Sequence, residues 1–352
     1  MSTLILIFCV LLFLLFIIPF LFYRKPLFSD SIQQSVTLIV PFRNESERIG
    51  LLLNSLLNLK PNYCRILFVD DHSEDNTASV IQDFKSNHGL DFIEILTLPE
   101  DLSGKKNAQI FAAQNADSDW LYFLDADTDI STQMIAFLQQ LDPNSPIRFV
   151  QGFPLFYQTK PNFLSHFLYI EFLTLVGFGF LSRFYSFPLL ANGAIMALKK
   201  SDFLQADLKS YLISGDDVFT MQSIRKVYGL QALYFAPFFV KTLSPGSISE
   251  SLHQKKRWVS KWGSAEYLAY VFLSAWVLIP TVASFVFPTY AQSLFLLFPI
   301  LPLLCISVLF VYSARFNSLP YLLPCILLLP LYLVVMPLIL YRFPARWKNR
   351  KV

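Results

Sequence analysis

Trp120-Leu121-Tyr122-Phe123-Leu124-Asp125-Ala126-Asp127-Thr128-Asp129 decides how the rest of the chain is read. Its apolar and aromatic half predicts a buried strand, and the three carboxylates at alternate positions mark where that strand ends. Side chains alternate faces along an extended backbone, so Asp125 and Asp127 point the same way at the exposed end. Carboxylate oxygens there can converge on a hard divalent cation, and a cation so held bridges phosphates. Asp also ends strands and begins turns for local reasons. The pair therefore carries weight only through the company it keeps.

Moving outward, short apolar runs alternate with amphipathic ones. Strands are expected at 36–41, 65–70, 91–98 and 120–125, and helices at 46–59, 76–87 and 105–116. Such alternation predicts an α/β fold with a Rossmann-like, doubly wound and mainly parallel sheet, whose ligands bind beyond the carboxyl ends of the strands. Asp70 and Asp71 close the second strand, on the same edge as Asp125 and Asp127. A carboxylate there is able to accept from the imide N–H of a uracil ring. Ser73, Asp75 and Asn76 follow as helix-capping types and can serve both purposes.

The ends of the chain have a different character. Of 352 residues 54% are hydrophobic, 36 are Phe, and the mean hydropathy is +0.48, too apolar for a soluble protein of this size. Residues 1–23 read as a spanning anchor, with the apolar run Leu4 to Tyr23 followed at once by Arg24 and Lys25. The positive-inside bias then places residues 24–246 in the cytoplasm. Residues 247–264 mix Trp258 and Trp262 with Lys255, Lys256, Arg257 and Lys261, a composition suited to the inner leaflet. Within 265–342 three runs, at 267–287, 292–312 and 319–341, predict two or three spanning helices, the last broken by four prolines. A basic tail, 343–352, closes the chain. The apolar stretch 163–184 is expected to be buried or interfacial, because a span there would separate Asp125 from the carboxylates near 217 and strand Glu171 in lipid. The expectation is a multi-pass protein of the inner or plasma membrane. A net charge of +3 with no long basic stripe argues against nucleic acid as a partner. Cys9, Cys64, Cys305 and Cys325 show no metal-ligand spacing, and no disulfide framework is expected.

Between Val36 and Trp258 the residues resemble the family 2 glycosyltransferases of the GT-A fold. Pro41-Phe-Arg-Asn44-Glu45 looks like that family's first loop, and Asp70-Asp71-His-Ser73-Glu-Asp75 like its nucleotide-binding segment. Gly104-Lys105 looks like its Gly-Lys loop and Asp125-Ala-Asp127 like its metal motif. Ala191-Asn192-Gly193-Ala194 resembles the acceptor-side strand, Gly215-Asp216-Asp217 the base segment, and Gln254-Lys-Lys-Arg257-Trp258 the Gln-X-X-Arg-Trp motif. Two departures stand out. The base segment usually reads Glu-Asp, so the second carboxylate, Asp217, is taken as the base. His72 replaces a common Gly, which a turn of positive φ tolerates better than a β-branched residue.

The resemblance implies a nucleotide-sugar donor, most simply a UDP-sugar, held by Pro41, Asn44, Glu45, Asp70, Asp71, Lys105, Asp125 and Arg257. It implies Mg2+ or Mn2+ on Asp125 and Asp127, and an acceptor bound by Asn192, Gly193, Asp216, Gln254 and Trp258. Asp217 would deprotonate the acceptor hydroxyl as it attacks in line, inverting the anomeric configuration. His166 and His253 are read as structural. The short membrane portion favours a lipid or lipid-linked saccharide as acceptor. A processive polysaccharide synthase, of the poly-N-acetylglucosamine or hyaluronan kind, is the alternative. A nucleotidyltransferase is a remote one, expected to lack Asp217 and the Gln254-to-Trp258 motif.

Overall fold

The computed structural model describes residues 34–59, 64–157, 162–208 and 215–259, with isolated positions at 18, between 320 and 339, and between 346 and 351. The chain divides into two units: Lys25–Tyr157 with Ala191–Leu243, and Met1–Arg24 with Gln158–Leu190 and Ser244–Val352.

The first unit contains, in chain order, β1 (Val36–Phe42), α1 (Gly50–Leu56), β2 (Cys64–Asp70), α2 (Thr77–His88), β3 (Ile93–Thr97), α3 (Lys105–Asn115), β4 (Trp120–Leu124), α4 (Thr132–Gln140) and β5 (Phe149–Tyr157). After α5 (Phe163–Phe184), which belongs to the second unit, it resumes with β6 (Ile195–Lys199), α6 (Lys200–Gln205), α7 (Asp216–Tyr228) and β7 (Leu233–Leu243). Seven strands form one sheet in the order β3-β2-β1-β4-β6-β5-β7. Four of the six pairings are parallel, but β6 runs antiparallel to both β4 and β5. The sheet is thus mixed, a refinement of the mainly parallel expectation. The resemblance of Ala191 to Met196 to an acceptor-side strand points to a strand here, whereas its direction depends on how the chain returns to the sheet.

The central strand is buried on both faces, which is why it reads as an unbroken apolar run. Trp120, Tyr122 and Leu124 enter the main core with Leu38, Val40, Phe68 and Ile195. Phe123 packs on Phe203 with ring centroids 4.7 Å apart. Each such side chain contributes roughly 1.5–3 kcal/mol by leaving water. Pro41 is accommodated because β1 pairs with β4 only as far as Ile39↔Phe123. Beyond that pair no ladder bond to β4 is lost through the missing N–H.

Helix α1 is shorter than the expected 46–59. The chain before it is taken up by contacts with the α2 entry: the Glu45 amide donates to Thr77 Oγ1 at 2.9 Å and the Ser46 amide to Asp75 Oδ2 at 3.1 Å. These bonds satisfy two amides that a helix starting at 46 would leave without an intrahelical acceptor, and residues 46–49 form a turn that leads into the helix.

In the second unit, α5 begins with a capping box between Asn162 and Ser165. By length and composition alone α5 is long and apolar enough to cross a membrane, and most of its apolar window is buried within the protein. Helix α8 (Ile248–Val259) begins similarly: Ser247 Oγ accepts from the Glu250 amide at 3.2 Å, and the Glu250 carboxylate accepts from the Gly246 amide at 2.8 Å. The costly Glu171 has a partner, for Lys255 Nζ of α8 lies 2.5 Å from Glu171 Oε2, with Lys255 buried and Glu171 half-buried. The expected anchor at 1–23 and the basic tail lie outside the described residues except for isolated positions, as do the expected C-terminal spans.

Candidate active site

The carboxyl ends of β1, β2 and β4 and the starts of α3 and α7 meet at one edge of the first unit. Loop β1–α1 is clamped to loop β2–α2. Arg43 Nη1 donates to the carbonyls of Asp71 and His72 at 2.7 and 2.8 Å, and Arg43 Nη2 pairs with Glu74 at 2.8 Å. Asn44, at φ 49°, donates its amide to Ser73 Oγ at 3.2 Å and accepts from the Glu74 amide on its side-chain oxygen at 2.8 Å. His72 adopts φ 57°, the positive value anticipated for this turn. Asp70 Oδ1 accepts from the Ser73 amide at 2.8 Å. Asp71 is buried and accepts from the Gly104 amide at 2.9 Å, tying this segment to the Gly-Lys loop. Asp75 shows the balance of forces here. Burial pushes its carboxyl pKa up, yet hydrogen bonds from Thr77 and Ser46 prevail and hold it down at about 2, from an ordinary 3.8.

The two lysines of the Gly-Lys loop diverge. Lys106 turns inward, donating to the Leu208 carbonyl at 2.8 Å with its ammonium over the Phe219 ring. Lys105 turns to the strand ends, where its Nζ lies 2.6 Å from Asp125 Oδ1 and 3.7 Å from Asp216 Oδ2. Burial pushes the Lys105 pKa down. The charges of Asp125, Asp216 and Asp217 outweigh burial and raise it well above the ordinary lysine range, so the amine is cationic.

The Asp127-Thr128-Asp129 segment is held by the end of β7, a contact between residues more than a hundred positions apart. The Asp129 amide donates to the Lys241 carbonyl at 2.8 Å and the Leu243 amide to the Asp127 carbonyl at 3.3 Å. Thr242 Oγ1 lies 3.4 Å from Asp127 Oδ1, and Arg48 Nη1 3.9 Å from Asp127 Oδ2.

Asp216 and Asp217 occupy the first turn of α7, where the helix N-terminus favours negative charge. Gly215 precedes them at φ 96°, and a Cβ there would lie 2.6 Å from the Phe219 ring, so the entry to α7 requires glycine. Asp217 Oδ2 accepts from the Gly193 amide at 3.1 Å and Oδ1 from the Val218 amide at 2.8 Å. Gly193 itself is approached closely, because a Cβ on it would sit 3.3 Å from Lys105 Nζ and 3.5 Å from Asp216 Oδ2. Its neighbour Asn192 is pinned by Gln151, which accepts from the Asn192 amide at 3.0 Å and donates to its carbonyl at 3.1 Å.

Lys105, Asp125, Gly193, Asp216 and Asp217 are thus brought together, with Pro41, Asn44, Glu45, Asp70, Asp71 and Asp127 on the loops described above. Gln254, Arg257 and Trp258 stand on α8 in the second unit, where Trp258 stacks on Phe172 at 5.7 Å. Arg43, Arg48, Gln109, Gln151 and Thr242 were not singled out in the sequence, because nothing local distinguishes them from solvated or core residues.

Among the described residues no three His, Cys, Asp or Glu side chains form a ready-made metal cage. Asp125 and Asp127 nevertheless fit a hard cation that takes the rest of its shell from phosphate and water, since both offer carboxylate oxygens at a partly exposed edge.

Residues 37–183 match the family described as Glycosyl transferase family 2. Over this stretch the chain carries a family 2 glycosyltransferase domain. It is similar to the poly-beta-1,6-N-acetyl-D-glucosamine synthase of Staphylococcus epidermidis strain RP62A, at 30% identity over 159 residues, 44% of this chain and 37% of that protein. The protein of the same description from Staphylococcus aureus strain COL is 28% identical over 155 residues, 44% of this chain and 36% of that one. The matched stretch therefore spans little more than a third of these relatives. Among solved structures, the mannosyltransferase PcManGT from Pyrobaculum calidifontis, in complex with GDP-Man and Mn2+, superimposes with a TM-score of 0.50 at 16% identity. That match covers 97% of this chain and 99% of the other, and at such identity it speaks to the fold.

Proposed function

We propose that this glycosyltransferase moves a sugar from a nucleotide donor, a UDP-sugar in the simplest case, to an acceptor hydroxyl with inversion at the anomeric carbon. The observation that carries the reading is the approach of Asp217 to Gly193, beside Lys105 and Asp125 at the same sheet edge. Asp217 is the general base. Its carboxylate is aimed by the Gly193 and Val218 amides and takes the proton from the attacking hydroxyl. Asn192 and Gly193, with Asp216 behind them, shape the acceptor side. On the donor side, Asp70 and Asp71 hold the turn that receives the base and ribose, while Lys105 supplies a fixed positive charge for the leaving diphosphate. Asp125 and Asp127 would hold Mg2+ or Mn2+, which when bound supplies Lewis-acid stabilisation of that diphosphate. Arg257 and Trp258 are assigned, from the motif they form, to the diphosphate and the acceptor.

For the acceptor, the names of the curated relatives support a growing β-linked amino-sugar polymer. A lipid or lipid-linked saccharide is the second reading. Catalysis on the cytoplasmic side of a multi-pass protein is part of the same proposal. UDP release by the detergent-solubilised full chain, offered UDP-sugars and lipid or oligosaccharide acceptors, tests it. Asp217→Asn should lower kcat by roughly a hundredfold to ten-thousandfold, and Asp127→Asn comparably. Full activity in both variants would remove the assigned roles, and product length on a gel separates the two acceptors.

A further inference from the structure

Two carboxylates compete for one ammonium in this site, and the outcome is lopsided. Lys105 Nζ lies 2.6 Å from Asp125 Oδ1 but 3.7 Å from Asp216 Oδ2. The same Asp216 oxygen already accepts from Gln109 Nε2 at 3.0 Å. Lys105 and Gln109 are one turn apart on α3, so one helix face presents both the contested cation and the amide that engages its competitor. Gln109 is fully buried, and its Oε1 has no hydrogen-bond partner among the described residues. Leaving a buried amide oxygen unpaired is costly, and turning the amide over would set its carbonyl against the Asp216 carboxylate. The side chain is therefore held with its N–H on Asp216 in spite of that cost.

We propose that Gln109 is a positioning residue that biases the Lys105 ammonium toward Asp125 and away from Asp216, so that the amine occupies an Asp125 oxygen until a divalent cation displaces it. The inference rests on the reading of Asp125 and Asp127 as metal carboxylates. Replacing Gln109 by the similarly sized, apolar Leu strips the amide donor from Asp216, draws Lys105 across, and releases Asp125. Replacing Asp216 by Asn removes the competing charge and leaves Lys105 wholly on Asp125. The two substitutions therefore act in opposite directions, which a merely structural role does not produce.

The test is Mn2+ affinity of the full chain without nucleotide, read by electron paramagnetic resonance of the free ion. Gln109→Leu should bind Mn2+ roughly threefold to tenfold more tightly than the parent, the range that the net strength of one hydrogen bond corresponds to. Asp216→Asn should bind more weakly. Lys105→Met should bind more tightly than the parent, and adding Gln109→Leu to it should change nothing further. Should Gln109→Leu not fold, as judged by thermal unfolding, Gln109→Met and Asp216→Asn carry the same opposed expectation. Mn2+ binding that is equal in the parent, Gln109→Leu and Asp216→Asn overturns the role of Gln109 and leaves the metal site standing. No Mn2+ binding in any of the proteins removes the metal site and this inference together.

Discussion

Lys105 is where three separate parts of the chain settle their charges, and single residues around it decide its position. The Gly104-Lys105 motif was enough to point to a diphosphate contact, but its partners Asp125 and Asp216 come from 20 and 111 positions away in the chain, and no local pattern announces such a meeting. Gln109 was invisible for the same reason: an Ala-Gln-Ile run in a helix has no signature until its amide is found on Asp216. Asp75 offers a prediction at this scale. Its carboxylate accepts from Ser46 and Thr77, and its folded-state pKa, about 2, lies below the ordinary 3.8. A depressed carboxylate adds stability that is complete above about pH 4 and is lost as the pH falls through about 2. Asp75→Ala should thus cost about 1 kcal/mol at neutral pH, kept modest by the exposure of the site. Thermal unfolding of parent and variant should converge as the solution is acidified from pH 4 toward 2.

At the scale of elements, the strands were legible because period and burial are local properties. Trp120–Leu124 was found almost residue for residue, and Cys64–Asp70 within one position. Helix α1 was read too long: the regular helix begins at Gly50, and the Glu45 and Ser46 amides ahead of it are bound by Thr77 and Asp75, whose position depends on the neighbouring loop. Helix α7 shows a constraint readable in both views, since Gly215 opens the segment that carries the proposed base. Gly215→Ala should cost roughly 1–3 kcal/mol for the positive φ. Turnover should fall further, because the Phe219 ring lies 2.6 Å from the new Cβ and Asp217 follows two residues later. Adding Phe219→Ala should not restore stability, because it relieves the contact by deleting a buried aromatic side chain, at a cost of about 3–5 kcal/mol. By contrast Gly50→Ala, where nothing lies within 4 Å, should leave both melting temperature and turnover unchanged or slightly improved.

For the whole molecule, ligand binding should report on the site without reference to chemistry. Mn2+ with UDP at a hundredfold excess over Kd should raise the melting temperature of the domain by about 5–10 °C, and a chelator should reverse the shift. No shift with either ligand would count against the donor site. What the amino-acid sequence determined by itself was the α/β alternation, the strand ends at which carboxylates gather, and the kinship carried by residues 37–183 around Asp125-Ala-Asp127. These follow from periodicity and from short motifs, which are written in consecutive residues. Only the tertiary structure decided the antiparallel course of β6, the grip of Lys241 to Leu243 on the metal-motif loop, and the sharing of one ammonium between Asp125 and Asp216. Strand direction depends on how the chain returns to the sheet, and the resting place of a charge depends on which distant groups surround it. Gln109 and Asp216, 107 residues apart, meet only once the sheet has formed.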